Sequence, residues 1–237
     1  MTFEDAFKSL RNFGTEQNRI IYRRHGANDP LFGVSHSNLQ HLKKKIKRNH
    51  LLALMLWDTK VLDAQCLAAL IADPKQISYN QALEWIKQSS YYVLTDMLVQ
   101  NLVYKTKSAQ RIMHELILSK EEYIGRAGWK LLEQFASDNN TLSDAYFIPY
   151  LQCIQSEINS YPNRIKEAMN QALIAIGCRN DNLEKICLTI SKEIGKVYID
   201  HGKTSCKTPN AAEYIVNCRE KKLQKIVLYS NTNNSLK

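Results

Sequence analysis

The sequence predicts an all-α protein whose helices stack in antiparallel pairs as an α-solenoid. Apolar residues recur with a helical period along almost all of residues 2–222, and brief links separate the resulting helices. Glycine and proline occur only 8 and 5 times, which disfavours a sandwich or barrel built from many turns. Since no strict sequence period is evident, an ordinary globular helical bundle is the alternative architecture.

Capping and turn residues predict where the helices begin and end. The first apolar pattern covers residues 2–24, and after Asp29-Pro30 either Ser35 or Ser37 can cap a helix that runs through Arg48. Capping-box patterns open helices at residues 78–81 and 119–122. The other predicted helices cover residues 50–57, 61–72, 91–104, 107–118, 121–137, 143–160, 163–176, 181–194 and 209–222.

Two segments depart from the helical pattern. Residues 196–200 contain the β-leaning run Val197-Tyr198-Ile199, which predicts a short extended excursion or hairpin. The end of the chain is rich in Ser and Asn, so residues 223–237 are expected to form a flexible tail. The sequence therefore predicts a single domain over residues 1–222.

The net charge of +9 is unevenly distributed along the chain. Residues 1–60 carry eleven Lys and Arg against five acids, residues 61–180 carry eleven against twelve, and residues 181–237 carry ten against six. A basic first third and a basic end suggest a surface that meets a polyanion. No apolar stretch approaches 18 residues, so a membrane span is not expected, and the six scattered cysteines indicate a reducing, cytoplasmic setting.

The helix that ends near Arg48 has an apolar stripe with basic residues on its other faces. Lys43, Lys44, Lys47 and Arg48 are therefore candidate contacts to DNA phosphates. A merely solvated face is the first alternative, and a nuclear-targeting or membrane-surface role is the second.

Asp96 lies among apolar residues in the predicted helix 91–104, with Tyr92 one turn earlier on the same face. An ionised aspartate is rarely buried unless it has a partner or a task. Beside an aromatic ring, this carboxylate could stabilise a developing positive charge. The alternative is a structural ion pair with a nearby Lys or Arg.

Two weaker patterns occur late in the chain. His201 and Cys206, with Cys187 and Cys218 on either side, could be zinc ligands, but the spacing lacks a paired motif and no metal is expected. Residues 200–207 could form a phosphate-contacting loop or a simple connection.

Five phrases, in this order and spacing, resemble the HEAT-like-repeat DNA glycosylases of the AlkD type over residues 20–180. They are Phe32-Gly33-Val34, residues 67–76 (LAALIADPKQ), residues 95–102 (TDMLVQNL), residues 125–132 (GRAGWKLL) and residues 176–180 (IGCRN). That family is an α-solenoid whose concave basic face grips duplex DNA and releases N3- and N7-alkylated purines. The resemblance implies a monomer that needs no cofactor.

The resemblance also implies roles for individual residues. Asp96 is the carboxylate that stabilises the oxocarbenium-like sugar, and Arg126 contacts the DNA backbone beside the lesion. The active family brackets the lesion's sugar with two tryptophans, where this chain has Tyr92 and Gln171. Tyrosine keeps a weaker aromatic face, whereas glutamine offers none.

The predicted function is therefore an alkylpurine DNA glycosylase of weakened activity that acts on duplex DNA. Because the second tryptophan is missing, the alternative hypothesis is that the protein is a non-catalytic relative that recognises distorted or branched DNA. A helical-repeat scaffold for proteins is a third hypothesis, which the net charge disfavours.

Overall fold

The computed structural model describes residues 1–138 and 142–234, with the backbone alone for residue 223 and residues 225–234. Over these residues the regular elements are helices, and a single isolated β-bridge pairs Gly14 with Val34. The predicted all-α class is confirmed. The described residues cluster into two compact units, residues 1–131 with 200–206 and the described part of residues 132–199 and 207–234. The single domain over residues 1–222 stays a prediction.

The helices are numbered in chain order, and α9 contains the boundary between the two units. The first unit has α1 (Phe3–Phe13), α2 (Glu16–Arg24), α3 (His36–Ile46), α4 (His50–Asp58), α5 (Leu62–Ile71), α6 (Tyr79–Gln88), α7 (Tyr92–Asn101), α8 (Ala109–Leu116) and the start of α9 (Glu122–Ser137). The second unit has the end of α9, then α10 (Asp144–Glu157), α11 (Asn163–Gly177), α12 (Asp181–Ile194) and α13 (Ala211–Asn234). Of the helices described, none combines the length and the apolar character needed to cross a bilayer.

The single helix predicted over residues 2–24 is wrong at Gly14, where the backbone is extended with φ −67° and ψ 142°. Gly14 pairs with Val34 in the β-bridge, and a Cβ at this position would lie 2.3 Å from the carbonyl oxygen of Phe32. The chain therefore leaves the helix to approach the 30–34 segment. Thr15 restarts it, because its hydroxyl accepts the N–H of Asn18 at 3.2 Å.

A buried carboxylate holds the segment that Gly14 meets. Asp63, which is 2% exposed, accepts the backbone N–H groups of Phe32 at 2.5 Å, Gly33 at 3.3 Å and Val34 at 2.7 Å. These charge-assisted bonds satisfy donors that the loop's non-helical backbone leaves without internal partners. Asp63 thus attaches the loop to α5.

Helix α5 is the centre of the first unit, since all ten of its residues are buried. It packs against α3, α4 and α7, and this packing fixes α7, the helix that carries Tyr92 and Asp96. Beside it, Trp57 of α4 and Trp85 of α6 stack with ring centroids 4.2 Å apart and an interplanar angle of 5°.

In the second unit, α11, α12 and α13 pack against one another. The approach of α13 to α11 is close at Gly177, where a Cβ would lie 2.8 Å from the Cδ1 of Ile215. Arg219 of α13 then bonds Glu184 at 3.1 Å and Asp181 of α12. A small residue at the close approach and the ion pairs of the largely buried Arg219 together hold the last helix in place.

Two local predictions fall in this region. Residues 196–200 lie outside any helix, as an excursion requires, and form irregular backbone without a hairpin; Val197 is buried and Tyr198 is exposed. Helix α13 extends to Asn234, and the flexible tail suggested for residues 223–237 stays a prediction. The helix begins at Ala211, where Asn210 accepts the N–H of Glu213 at 3.3 Å.

Candidate nucleic-acid interface

The predicted catalytic carboxylate forms a bidentate ion pair with an arginine of another helix. The Nε of Arg126 on α9 donates to Asp96 Oδ1 at 2.8 Å, and its Nη2 donates to Oδ2 at 2.7 Å. The Arg126 side chain is 2% exposed, whereas that of Asp96 is 22% exposed. Asp96 therefore forms an ion pair with an arginine, as the alternative interpretation expected, and its side chain stays partly exposed. A catalytic role for Asp96 stays a prediction.

Tyr92 lies beside this pair, one turn before Asp96 on α7. Its ring centroid is 5.1 Å from the Cζ of Arg126, which is within cation–π range. Its hydroxyl lies 3.4 Å from the Nδ1 of His25, the residue that ends α2. The sequence did not single out His25, because only the packing of α2 near α7 brings it to the site.

The carboxylate of Asp96 and the ring of Tyr92 are the two groups at this site that could bind a cation, and Arg126 already contacts both. Its guanidinium neutralises both oxygens of Asp96 and also lies within cation–π distance of the Tyr92 ring. The resemblance implied that Arg126 contacts the DNA backbone, and that contact stays a prediction. In this structure the side chain is 2% exposed and donates to both oxygens of Asp96.

A glycine permits the close helix approach in the segment that bears Arg126. A Cβ on Gly128 would lie 2.5 Å from both the N and the Cα of Ile117, just beyond α8. The segment Gly125-Arg126-Ala127-Gly128 thus has two functions: Gly128 allows close helix packing, and Arg126 supplies the buried guanidinium.

A cluster of basic residues forms a second feature of the first unit. Partial desolvation lowers the pKa of Lys105, although its side chain is exposed, and the charges of Arg48 and Lys43 lower the pKa further. The Nζ of Lys43 lies 3.5 Å from the Oδ1 of Asn101, the last residue of α7, so the same helix carries Asp96 and contacts this cluster. Arg48 donates to the carbonyl of Ala72.

We call Lys43, Arg48 and Lys105 the basic cluster. Lys43 is half-buried, whereas Arg48 and Lys105 are exposed, and the sequence did not single out Lys105. The other two predicted contacts, Lys44 and Lys47, are also exposed, and Lys47 ends α3 with φ +63°.

The remaining predicted site residue, Gln171, lies on α11 in the second unit. It lines a groove of about 490 Å³ together with Tyr214 and Lys222 of α13. Its suggested place opposite Tyr92 across a lesion stays a prediction. Among the described residues, no group of three or more His, Cys, Asp or Glu side chains is arranged to hold a metal ion.

Comparisons with known proteins agree with the resemblance noted in the sequence. A family model described as "DNA alkylation repair enzyme" matches residues 6–215. The uncharacterized proteins Lin0241 of Listeria innocua and Lmo0209 of Listeria monocytogenes are 27% and 26% identical to this chain, each over 227 residues that make up 93% of this chain and 99% of theirs.

One solved structure matches nearly the whole chain. It represents "a new family of proteins related to the HEAT-like repeat DNA glycosylases with affinity for branched DNA structures". The two folds agree with a TM-score of 0.83 at 29% identity, over 95% of each chain. The predicted class of an all-α fold with HEAT-like repeats is thus confirmed.

Proposed function

Because this chain belongs to the family of DNA alkylation repair enzymes, we propose that it binds DNA and prefers branched or locally distorted duplexes. The observation that carries the proposal is the basic cluster of Lys43, Arg48 and Lys105. Desolvation, and then the nearby charges of Arg48 and Lys43, lower the pKa of Lys105, so three cations lie close together and a polyanion would relieve their mutual repulsion.

Branched DNA suits such a cluster because strands meet at a junction and bring their phosphates close together. Phosphate contacts position a protein on DNA without reading the sequence, so shape and charge density would provide the selectivity. The solved relative is described as having affinity for branched DNA structures, which supports the same preference here.

The test compares a four-way junction with a linear duplex of the same base composition. We expect tighter binding to the junction, and a loss of affinity of about 10³-fold between about 50 and 200 mM salt if six or more phosphates are neutralised. Changing Lys43 and Lys105 to glutamine should weaken binding and reduce the salt dependence, whereas the exposed Lys87→Gln on α6 is the matched control. Affinity that stays flat with salt would contradict the proposal.

Release of N3- or N7-alkylated purines is a second candidate function. The observation that favours it is the 22% exposure of the Asp96 side chain, which leaves a rigidly held carboxylate edge beside the Tyr92 ring. A ring-alkylated purine is cationic, so it departs with the glycosidic electron pair and leaves an oxocarbenium-like sugar. A fixed carboxylate stabilises that charge, and water then adds to the sugar and loses a proton.

The pairing with Arg126 acts against this chemistry, because it reduces the net negative charge that a sugar cation would meet. The test measures release of N7-methylguanine from duplex DNA. If the site is catalytic, Asp96→Asn should lower the rate by about 10²-fold or more. Gln171→Trp should raise the rate by supplying an aromatic face. Equal rates for wild type, Asp96→Asn and a no-protein control would leave only the binding function.

A further inference from the structure

Two neighbouring grooves on α13 share one helix face. Tyr214, Cys218 and Lys222 recur at intervals of four residues, and all three line both grooves. The first groove has a volume of about 490 Å³ and also includes Gln171 and Glu133. The second, of about 640 Å³, also includes Asn217 and Lys221.

The first groove is lined by an exposed tyrosine, by apolar residues and by two polar side chains of kinds that can contact base edges. Tyr214 is 54% exposed, and the apolar residues include Ile174 of α11 and Pro209. A glutamine amide can both donate to and accept from a base edge, and a carboxylate accepts from an exocyclic amino group. Gln171 and Glu133 supply these groups.

The charge changes from the first groove to the second. Glu133 lines the first groove alone, whereas Lys221 lines the second alone and Lys222 lines both. The Nζ of Lys222 donates to the carbonyl of Cys178 at 2.8 Å, and an ammonium has further donors for a second acceptor. The two lysines favour a phosphate at the second groove, and the acidic residue favours an uncharged ring at the first.

We propose that these grooves bind one unpaired nucleotide of DNA, with its base stacked on Tyr214 in the first groove and its phosphate beside Lys221 and Lys222. This inference rests on the proposed DNA-binding function. It adds a site in the second unit that binds an unpaired base by stacking. Stacking depends little on which base is present, so the site should accept any of them. Gln171 then serves to contact a base edge, a role that does not need the aromatic face of tryptophan.

The experiment uses the full chain and a pair of duplexes that are identical except for one unpaired 5-iodouracil. Wild type should bind the bulged duplex more tightly, and irradiation should crosslink the iodouracil to Tyr214, as mapped by mass spectrometry. Tyr214→Ala should lower affinity for the bulged duplex by about tenfold and leave the paired duplex within about twofold, because only base–aromatic stacking is removed.

Two variants distinguish stacking from other effects. Tyr214→Phe keeps the ring and should retain the preference for the bulged duplex. Tyr198→Ala removes another tyrosine of the second unit, which is 72% exposed and has the Lys196 Nζ 5.1 Å from its ring centroid, and it should change neither affinity.

Equal wild-type affinity for the two duplexes, no effect of Tyr214→Ala, or crosslinks that all map elsewhere would each overturn this inference and leave the proposed function standing. Absence of any DNA binding would overturn both.

Discussion

Replacing Asp96 should destabilise the first unit more than replacing its partner. Asp96→Asn keeps the shape of the side chain and removes its charge, so the guanidinium of Arg126, which is 2% exposed, loses the charge of a bidentate partner at 2.7 and 2.8 Å. Breaking a buried pair in this way costs about 3–5 kcal/mol. That is a large part of the roughly 5–15 kcal/mol by which domains are usually stable.

The reverse change should cost less, because the two partners differ in exposure. In Arg126→Met the long apolar side chain fills much of the vacated space, and Asp96 can turn its 22% exposed carboxylate toward water. We expect a loss of about 1–2 kcal/mol, since the remaining charge is not trapped. The double variant should recover much of what Asp96→Asn loses, because neither charge then remains buried.

Urea unfolding followed by tryptophan fluorescence measures these free energies for the first unit, because Trp57, Trp85 and Trp129 all lie in it. Asp58→Asn, at an exposed position on α4, is the matched control. If Asp96→Asn unfolds at the same urea concentration as Asp58→Asn, or if the double variant simply adds the two losses, the pair does not stabilise the fold and the argument is refuted.

Three further changes test the other features of the first unit. Lys105→Gln should leave the free energy of unfolding unchanged or slightly higher, since the fold lowers the pKa of this lysine and so disfavours its charge. The slope of log affinity for DNA against log salt concentration should fall by about one. A clear loss of stability would contradict this prediction. Asp63→Ala should cost about 3 kcal/mol in the same urea assay, because buried N–H groups such as that of Val34 lose their acceptor, and an unchanged midpoint would count against that role. Gly128→Ala should cost about 2 kcal/mol or more, as its Cβ would meet backbone atoms of Ile117 at 2.5 Å, and wild-type stability would show that α9 can shift freely.

The sequence predicted most helices because their signals are local. Ser35 and Ser78 each accept a backbone N–H at the start of a helix, as their positions before apolar patterns indicate. The break at Gly14 was missed because its cause lies 20 residues away, at Val34. A local pattern cannot reveal that a glycine is needed for a tertiary contact rather than tolerated within a helix.

The candidate site was predictable only in part, for the same reason. Local sequence placed Tyr92 and Asp96 on one helix face, and the possibility of an ion pair followed from the apolar surroundings of Asp96. The local sequence does not indicate that Arg126 is buried or that Lys105 belongs to the basic cluster. Both features depend on which segments pack together in the folded chain. Tyr214 lay outside the 20–180 region of resemblance, so nothing in the sequence marked it.

The bond between Asp96 and Arg126 has a consequence for how such proteins change over evolutionary time. Whether or not activity is selected, a change of Asp96 to a neutral residue removes a bidentate ionic partner from a buried arginine, so stability alone is a reason to keep the aspartate. Gln171 belongs to no ion pair of this kind. An aspartate at this position is therefore weak evidence for catalysis, because its bond to Arg126 is sufficient to retain it.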